Sequence, residues 1–214
     1  MNKIAKNILK LKENLNKKIQ LVAVSKTKPD TDILAAYNAG QKVFGENKVQ
    51  EIVKKQKNLP SDIKWHMIGH LQTNKVKHIA SFVSLIHAVD SIKLLKEINK
   101  RATQNNRIID CLLQIHIAQE STKFGFDIEE IKKVISIAKE YKNIKIKGLM
   151  GMATFTNDSK QINKEFKSIY KIFKKVKNKT LNTLSIGMSG DYKLAINNGS
   201  TMIRVGSAIF GDRN

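Results

Sequence analysis

The apolar residues of this chain alternate between short continuous runs and stripes with helical spacing. The first run, residues 21–25 (LVAVS), lacks polar alternation, which is typical of a strand buried on both faces. Before it, apolar residues recur at three- to four-residue intervals between residues 2 and 17 and predict a helix with one apolar stripe. After it, residues 30–39 are predicted to form a helix that ends at Gly40.

The same alternation continues along the remaining sequence. The predicted strands span residues 19–25, 41–44, 63–68, 82–88, 107–117, 144–150, 183–186 and 202–205. The predicted helices span residues 2–17, 30–39, 46–57, 73–80, 91–104, 128–141, 159–177 and 189–197. Strands that alternate with helices indicate a parallel sheet, and eight such repeats favour closure into a (β/α)8 barrel.

The predicted fold class is therefore α/β: a single TIM barrel domain over residues 1–214, with an extra N-terminal helix and no second domain. An open, doubly wound parallel sheet is the alternative. That fold would carry a glycine-rich dinucleotide-binding motif after the first strand, and none follows residue 25. No linker or low-complexity tract divides the sequence.

The charge balance raises the question of nucleic-acid binding. The formal net charge is +21, from 39 basic against 18 acidic residues, and only four of the basic residues are arginine. Proteins that read nucleic acids rely on the forked contacts of arginine, whereas these lysines are scattered over all the predicted helices. We therefore expect weak, nonspecific adhesion to polyanions at low salt and no specific nucleic-acid partner.

The sequence also bears on the cellular compartment. No apolar run approaches the roughly 20 residues that span a bilayer, so no membrane association is expected. The basic N-terminal stretch lacks a continuous apolar segment and a cleavage site, so no secretory signal is predicted. The single cysteine, Cys111, lies in an apolar run and is predicted to be a small buried residue. These features together favour a cytoplasmic protein.

Candidate chemistry begins at Lys26, which directly follows the first predicted strand. Parallel α/β folds place their reactive groups at the carboxyl ends of the strands, where this lysine would lie. The alternative is that Lys26 is only the first solvated residue after the strand, since lysine is usually exposed.

Two segments would face Lys26 in a closed barrel: residues 187–191 (GMSGD), after strand seven, and residues 204–207 (RVGS), after strand eight. Small residues allow backbone N–H groups to approach an anion, and the loops after strands seven and eight form a recurrent phosphate site in such barrels. Alternatively, residues 187–191 form an ordinary turn that caps a helix, and Arg204 forms a structural ion pair. A lysine, a phosphate cradle and an arginine at one rim together suggest a phosphate-bearing aldehyde held as a Schiff base, and pyridoxal 5'-phosphate is such a ligand.

Seven motifs distributed over nearly the whole chain resemble those of the pyridoxal phosphate homeostasis protein family, whose fold is that of the alanine racemase N-terminal domain. They are residues 21–29 (LVAVSKTKP), 44–51 (FGENKVQE), 65–75 (WHMIGHLQTNK), 123–126 (KFGF), 148–152 (GLMGM), 188–191 (MSGD) and 199–211 (GSTMIRVGSAIFG). One departure is Lys48, where the family usually has an aromatic residue.

The resemblance implies a role for each of six cofactor-binding residues. Lys26 would form the Schiff base with pyridoxal 5'-phosphate, Arg204 would face the pyridine nitrogen, and Asn47 would lie beside the ring at the start of a helix. The phosphate would be held by Ser189, Gly206 and Ser207. An arginine that donates to the pyridine nitrogen keeps that nitrogen unprotonated, which makes the ring a poor electron sink and restrains carbanion chemistry. Burial is expected to lower the pKa of the lysine, so that its amine can attack an aldehyde at neutral pH.

The resemblance also implies a function. Racemases and decarboxylases of this fold carry a second, β-rich domain, which in racemases supplies a tyrosine base, whereas this sequence ends nine residues after Val205. We therefore expect a carrier or buffer in intracellular homeostasis of pyridoxal 5'-phosphate, without catalytic turnover and with PLP-dependent apo-enzymes as candidate recipients. The alternative is an enzyme of the alanine racemase type with weak amino-acid racemase activity. A monomer is expected, because racemases use the second domain to dimerise.

Other titratable residues give weaker signals. His66 and His70 are four residues apart but lie on a predicted strand and its loop, so no metal site is predicted. Asp90 and Asp191 precede helices and are interpreted as caps, with a carboxylate pair as the alternative. Glu46 is placed in the first turn of a helix, where its negative charge would be favourable. Lys123 is placed in a solvated loop, with an approach to the same rim as the alternative.

Overall fold

The computed structural model describes residues 2–118 and 124–211, and its elements follow the predicted alternation. The strands are β1 (Gln20–Val24), β2 (Val43–Glu46), β3 (Lys64–Met67), β4 (Leu85–Val89), β5 (Ile109–Ile115), β6 (Ile144–Gly151), β7 (Thr183–Ser185) and β8 (Met202–Val205). The α-helices are α1 (Lys3–Glu13), α2 (Asp30–Asn38), α3 (Val49–Asn58), α4 (Ile92–Gln104), α5 (Ile131–Ala138), α6 (Ser159–Val176), α7 (Tyr192–Asn197) and α8 (Ser207–Phe210). Short 3-10 helices span Thr73–His78 and Ile128–Glu130.

Within these described ranges, the eight strands close into a parallel barrel in chain order. The barrel closes between β1 and β8, where Gln20 pairs with Met202 and Ala23 pairs with Val205. The predicted α/β TIM barrel is thus confirmed, and the open doubly wound sheet is wrong. The absence of a second domain stays a prediction. Because all strands run in one direction, their carboxyl ends meet at a single rim.

Side-chain alternation along the strands divides the apolar core into two layers. A small cluster that includes Val22, Leu112 and Met150 fills the barrel interior. A larger cluster, which includes Phe44 and Trp65, lies between the strands and the surrounding helices. Cys111 belongs to this outer layer and is fully buried, which confirms its predicted place, and burial raises the pKa of its thiol.

The predicted extra helix is α1. The side chain of Asn2 accepts a hydrogen bond from the Ile4 N–H at 2.9 Å and caps the helix, whose buried stripe includes Ile8 and Leu11. The Asn7 amide donates to the carbonyl of Ile209 in α8 at 2.9 Å. The N-terminal helix is thus joined to the helical turn that follows the last strand. Within the described ranges, no helix is both long enough and apolar enough to cross a membrane.

Several element boundaries differ from the prediction, because apolar burial does not require a strand or a helix. The strand predicted over residues 82–88 begins only at Leu85, although Phe82 and Val83 pack against the core. The helix predicted over residues 73–80 is a 3-10 helix, and the one predicted over residues 189–197 begins at Tyr192. Helix α8 was not predicted, since its four residues are too few to show a helical period.

Candidate functional site

A cavity of about 570 Å³ opens at the carboxyl rim of the barrel. Its walls include all of the residues that the sequence nominated for cofactor binding: Lys26, Asn47, Ser189, Arg204, Gly206 and Ser207. These residues come from the ends of β1, β2, β7 and β8, which the barrel closure brings together. The structure therefore places the nominated residues around one space, and their individual roles remain predictions.

Lys26 owes its position to the alternation of β1. Val22 and Val24 pack into the barrel interior, so the side chain of Lys26, two residues further on, is directed to the same side and lines the cavity. Lys26 is half-buried, and its role in binding stays a prediction. The next residue, Thr27, has a φ of 64°, in the left-handed region that a β-branched residue rarely adopts.

The backbone on both sides of Lys26 is held by side chains from α3. Lys55 of α3 donates to the carbonyl of Ser25 at 2.8 Å. The N–H of Thr27 donates to a carboxylate oxygen of Glu51 at 2.7 Å, which satisfies a backbone donor in the strained position. Two residues of α3 therefore hold the chain immediately before and after the candidate Schiff-base lysine.

Glu46 completes this group, and its predicted place in a helix is wrong. It ends β2, is fully buried, and accepts hydrogen bonds from the Ser25 hydroxyl at 2.6 Å and from Lys55 at 2.8 Å. Burial raises the pKa of Glu46, and the contacts with Lys55 and Ser25 oppose that change. The prediction failed because a glutamate before a helix is usually solvated, whereas here a buried lysine balances its charge. We call Ser25, Glu46, Glu51 and Lys55 the β1 clamp.

Arg204 lies on β8 at the floor of the cavity and is 4% exposed. Its Nη1 donates to the carbonyl and the hydroxyl of Ser185 at 2.8 and 2.7 Å, and its Nη2 donates to the carbonyl of Gly151 at 3.0 Å. Within the described residues it forms no ion pair, so the structural ion-pair alternative is wrong. Burial lowers the pKa of Arg204 to about 10, and the carboxylate of Asp191 opposes this change. A guanidinium has five N–H groups, and three are used here, so two remain for a ligand.

The loops after β7 and β8 contact each other through a side chain. The Gly206 N–H donates to the Ser189 hydroxyl oxygen at 3.0 Å, which joins two of the nominated phosphate-binding residues. Gly187 begins the first loop with a φ of +96°, and a Cβ there would lie 2.6 Å from the Cβ of Ala195. That loop therefore needs glycine for both conformation and space. Ser207 is exposed and begins α8, whose first backbone N–H groups have no partner within the helix.

Asn47 follows β2 and stands two residues before α3 rather than within it. Gly69 lies so close that a Cβ there would be 2.5 Å from the Asn47 carbonyl oxygen, so glycine permits this approach. Lys48, the departure from the family pattern, is exposed at the N-cap position of α3. Its replacement of an aromatic residue therefore leaves the barrel core untouched.

The remaining walls of the cavity were not nominated from the sequence. The Nδ1 of His70 donates to a carboxylate oxygen of Asp90 at 2.9 Å, and its ring stacks on Phe124 with 4.0 Å between centroids. The Gln114 amide donates to the carbonyl of Phe124 at 2.6 Å. A polar residue near the carboxyl end of a mostly apolar strand was the available signal for Gln114. Phe155 also lines the cavity and is 98% exposed.

The weaker predictions have mixed outcomes. Asp90 pairs with His70, while Ser91 caps α4, so the capping role predicted for Asp90 is wrong. Asp191 occupies the N-cap position of α7, but its carboxylate accepts from the Met188 N–H of the preceding loop. Over residues 2–118 and 124–211, no cluster of three or more potential metal ligands occurs. Lys123 lies outside the described residues.

Comparisons with known proteins are consistent with this geometry. The family model for the alanine racemase N-terminal domain matches residues 1–214. The pyridoxal phosphate homeostasis protein of Aquifex aeolicus is 39% identical over 198 residues, covering 91% of this chain and 87% of the relative. The protein of the same name from Helicobacter pylori is 40% identical over 195 residues, with 90% and 87% covered.

A solved structure extends the similarity to three dimensions. The structure of PipY from Synechococcus elongatus without PLP superposes with a TM-score of 0.92 at 33% identity, over 97% of this chain and all of that chain. The same protein with PLP bound superposes with a TM-score of 0.88. By its sequence and by its fold, this chain belongs to the pyridoxal phosphate homeostasis protein family, within the alanine racemase N-terminal domain group.

Proposed function

We propose that this protein binds pyridoxal 5'-phosphate through Lys26 and acts in intracellular homeostasis of this cofactor, as a carrier or buffer. The observation that carries the proposal is that the six nominated residues line one cavity at the carboxyl rim. Relatives support the proposal in two ways. Proteins that are 39% and 40% identical to this chain are named pyridoxal phosphate homeostasis proteins, and the structure of PipY has been solved with PLP bound.

The chemistry of the cavity fits a phosphate-bearing aldehyde. Lys26, Lys28 and Arg204 bring positive charge to its walls, and the described part of those walls contains no carboxylate. A phosphate carries between one and two negative charges at neutral pH, so this imbalance favours it. The hydroxyls of Ser189 and Ser207 and the N–H of Gly206 supply hydrogen-bond partners for its oxygens.

The nominated residues are proposed to contact different parts of the cofactor. Lys26 would hold pyridoxal 5'-phosphate through its Nζ, and the cofactor would supply the aldehyde carbon for that bond, with the aldehyde oxygen leaving as water. An unused N–H of Arg204 is proposed to donate to the pyridine nitrogen, and Asn47 is proposed to lie beside the ring. Gly206 would exchange its bond with Ser189 for one with the phosphate, because its N–H is already donated to that hydroxyl.

An equilibrium titration followed by absorbance tests this proposal. Addition of pyridoxal 5'-phosphate to the wild type is expected to give a saturable band near the visible edge, and Lys26→Ala is expected to lack it. Lys28→Ala removes another amine from the same cavity and is the control for a second reactive lysine. It is expected to weaken the affinity, because Lys28 contributes positive charge to the walls, and to keep the band at saturating cofactor. A band that persists in Lys26→Ala would refute the assignment of Lys26.

We further propose that the protein has no catalytic turnover and that PLP-dependent apo-enzymes receive its cofactor. An arginine at the pyridine nitrogen disfavours protonation of the ring, and hence carbanion chemistry. The described walls of the cavity also contain no tyrosine that could act as a second base. A steady-state racemisation assay with alanine is expected to show no turnover, and turnover that Lys26→Ala abolishes would establish the racemase alternative. The cytoplasmic location and the monomeric state stay predictions.

A further inference from the structure

Below the cavity, four polar side chains from four strands form a continuous hydrogen-bonded series through the barrel interior. The Nδ1 of His66 lies 3.0 Å from the Nε2 of His87, and the Nδ1 of His87 lies 3.2 Å from the hydroxyl of Ser185. That hydroxyl accepts from Nη1 of Arg204 at 2.7 Å. None of the four residues is more than 4% exposed. We call His66, His87 and Ser185 the arginine support.

The chemistry of its last member determines the direction of this series. A guanidinium only donates, so the Ser185 hydroxyl oxygen accepts from Arg204 and its single proton is available for His87. The Nδ1 of His87 then accepts, its proton lies on Nε2, and that N–H donates to Nδ1 of His66. The proton of His66 consequently lies on Nε2.

The opposite assignment leaves a buried group unsatisfied. If Nδ1 of His87 were protonated, it would donate to Ser185, whose hydroxyl oxygen would accept two hydrogen bonds. The hydroxyl proton would then have no acceptor, because Arg204 and His87 are the partners of this oxygen among the described residues. A buried donor without an acceptor is costly, so the first assignment is favoured.

Both histidines are held neutral. Burial lowers the pKa of His66 to about 3, and burial, together with the neighbouring His66 and the charge of Arg204, lowers the pKa of His87 well below its ordinary value. A neutral imidazole can accept at Nδ1, whereas a protonated one would present an N–H to the Ser185 hydroxyl.

We propose that His87, supported by His66, is a positioning residue for Arg204: it accepts the Ser185 proton and thereby keeps that hydroxyl oriented as an acceptor for the guanidinium. The arginine is then fixed with two N–H groups still available to a ligand in the cavity. The role of these N–H groups toward the pyridine ring rests on the proposed function. The orientation of Arg204 itself does not, because it is set by hydrogen bonds to Ser185 and Gly151.

Nitrogen NMR of the ligand-free protein at pH 7 tests the arrangement directly. With ¹⁵N-labelled histidine, His66 and His87 are expected to be neutral with the proton on Nε2. With ¹⁵N-labelled arginine, Arg204 is expected to give separate Nη signals, because its guanidinium is prevented from rotating. A proton on Nδ1 of His87, or averaged Nη signals of Arg204, would overturn the proposal.

Three variants separate positioning from packing. His87→Leu removes the acceptor while retaining an apolar side chain of similar size, and it is expected to average the Arg204 Nη signals and to weaken pyridoxal 5'-phosphate binding about tenfold. His87→Asn can present an oxygen close to the former Nδ1 and is expected to restore both properties. Ser185→Ala breaks the hydrogen-bonded series without altering the histidine pair. This variant replaces His87→Leu as the test if His87→Leu does not fold.

The outcomes distinguish this inference from the proposed function. If the wild type does not bind pyridoxal 5'-phosphate but shows the expected tautomers and the His87-dependent Arg204 signals, the proposed function fails and the positioning role stands. If the wild type binds the cofactor and both His87→Leu and Ser185→Ala retain separate Arg204 signals and wild-type affinity, the positioning role fails alone.

Discussion

At the scale of single residues, the barrel interior combines a permanent cation with two imidazoles that are never charged near neutral pH. The guanidinium of Arg204 donates to carbonyl and hydroxyl oxygens instead of a carboxylate, so these partners do not neutralise the positive charge that it brings to the cavity. His66 and His87 lie within hydrogen-bonding distance of each other, and protonation of either would bury a second charge close to Arg204.

The depressed pKa values of these histidines predict a loss of stability in acid. Both imidazoles bind protons in the unfolded chain below a pH of about 6.5 but remain neutral in the folded protein, so the unfolded state gains the protons. The contribution of the two neutral histidines to the free energy of unfolding is therefore fully present above that pH. The free energy of unfolding should fall as the pH decreases from about 6.5 to 5, by up to about 1.4 kcal/mol per pH unit for each histidine.

Urea unfolding between pH 8 and 5 measures this slope. His66→Gln should reduce it, because one buried imidazole is removed. The matched control is His78→Gln, which alters an exposed histidine of a 3-10 helix and should leave the slope unchanged. Equal slopes in the wild type and in His66→Gln would contradict the assignment of a depressed pKa to His66.

At the scale of elements, the junction between β1 and α2 is shaped by its neighbour α3. The β1 clamp holds the backbone before and after Lys26, and the strained φ of Thr27 persists because Glu51 accepts its N–H. The reactive lysine is thus placed by a strand that fixes its direction and by a helix that fixes its backbone.

Glu51→Gln tests this second contribution. The amide keeps an oxygen for the Thr27 N–H but loses the charge that strengthens this bond and that faces Lys55 at 3.4 Å. The affinity for pyridoxal 5'-phosphate is expected to fall several-fold, and the free energy of unfolding by about 1 kcal/mol. The control is Glu97→Gln, which breaks an i, i+4 pair with Arg101 on α4 and should change neither property appreciably. An unchanged affinity in Glu51→Gln would show that the clamp does not position Lys26.

The sequence predicted elements more reliably than their exact limits or their polar contacts. The apolar runs identified the eight strands of residues 2–118 and 124–211, because a parallel strand buried on both faces needs a continuous apolar segment. The sequence could not reveal that Glu46 is buried, because its burial depends on a lysine from the next helix, Lys55. The arginine support gave no local signal either, because Ser185 and Arg204 are 19 residues apart and His87 meets Ser185 across 98 residues.

At the scale of the whole molecule, barrel closure created the candidate site. Lys26 follows the first strand and Arg204 lies on the last, and they line one cavity because β1 pairs with β8. Lys26, Ser189, Arg204, Gly206 and Ser207 were predictable because the carboxyl ends of parallel strands meet at one rim, whereas Asn47 was nominated only through the family resemblance. The sequence did not predict the other walls of the cavity, because loop conformations decide which side chains reach it; these walls include His70, Phe124 and Phe155.

The formal net charge of +21 predicts salt-dependent adhesion to polyanions. Because the lysines are spread over the surface, binding to heparin or to DNA should be independent of sequence and should fall by orders of magnitude between about 50 and 200 mM salt. Fluorescence anisotropy with two unrelated DNA duplexes measures this. A clear preference for one duplex that persists at the higher salt would contradict the exclusion of a specific nucleic-acid partner.

The central claim is that Lys26, among 35 lysines, is the residue that binds pyridoxal 5'-phosphate. Borohydride reduction of the loaded protein followed by peptide mapping tests it most directly, because the reduction makes the link to the lysine permanent. The account predicts one modified peptide, with the label on Lys26. A label spread over many lysines, or concentrated on another residue such as Lys28, would contradict it.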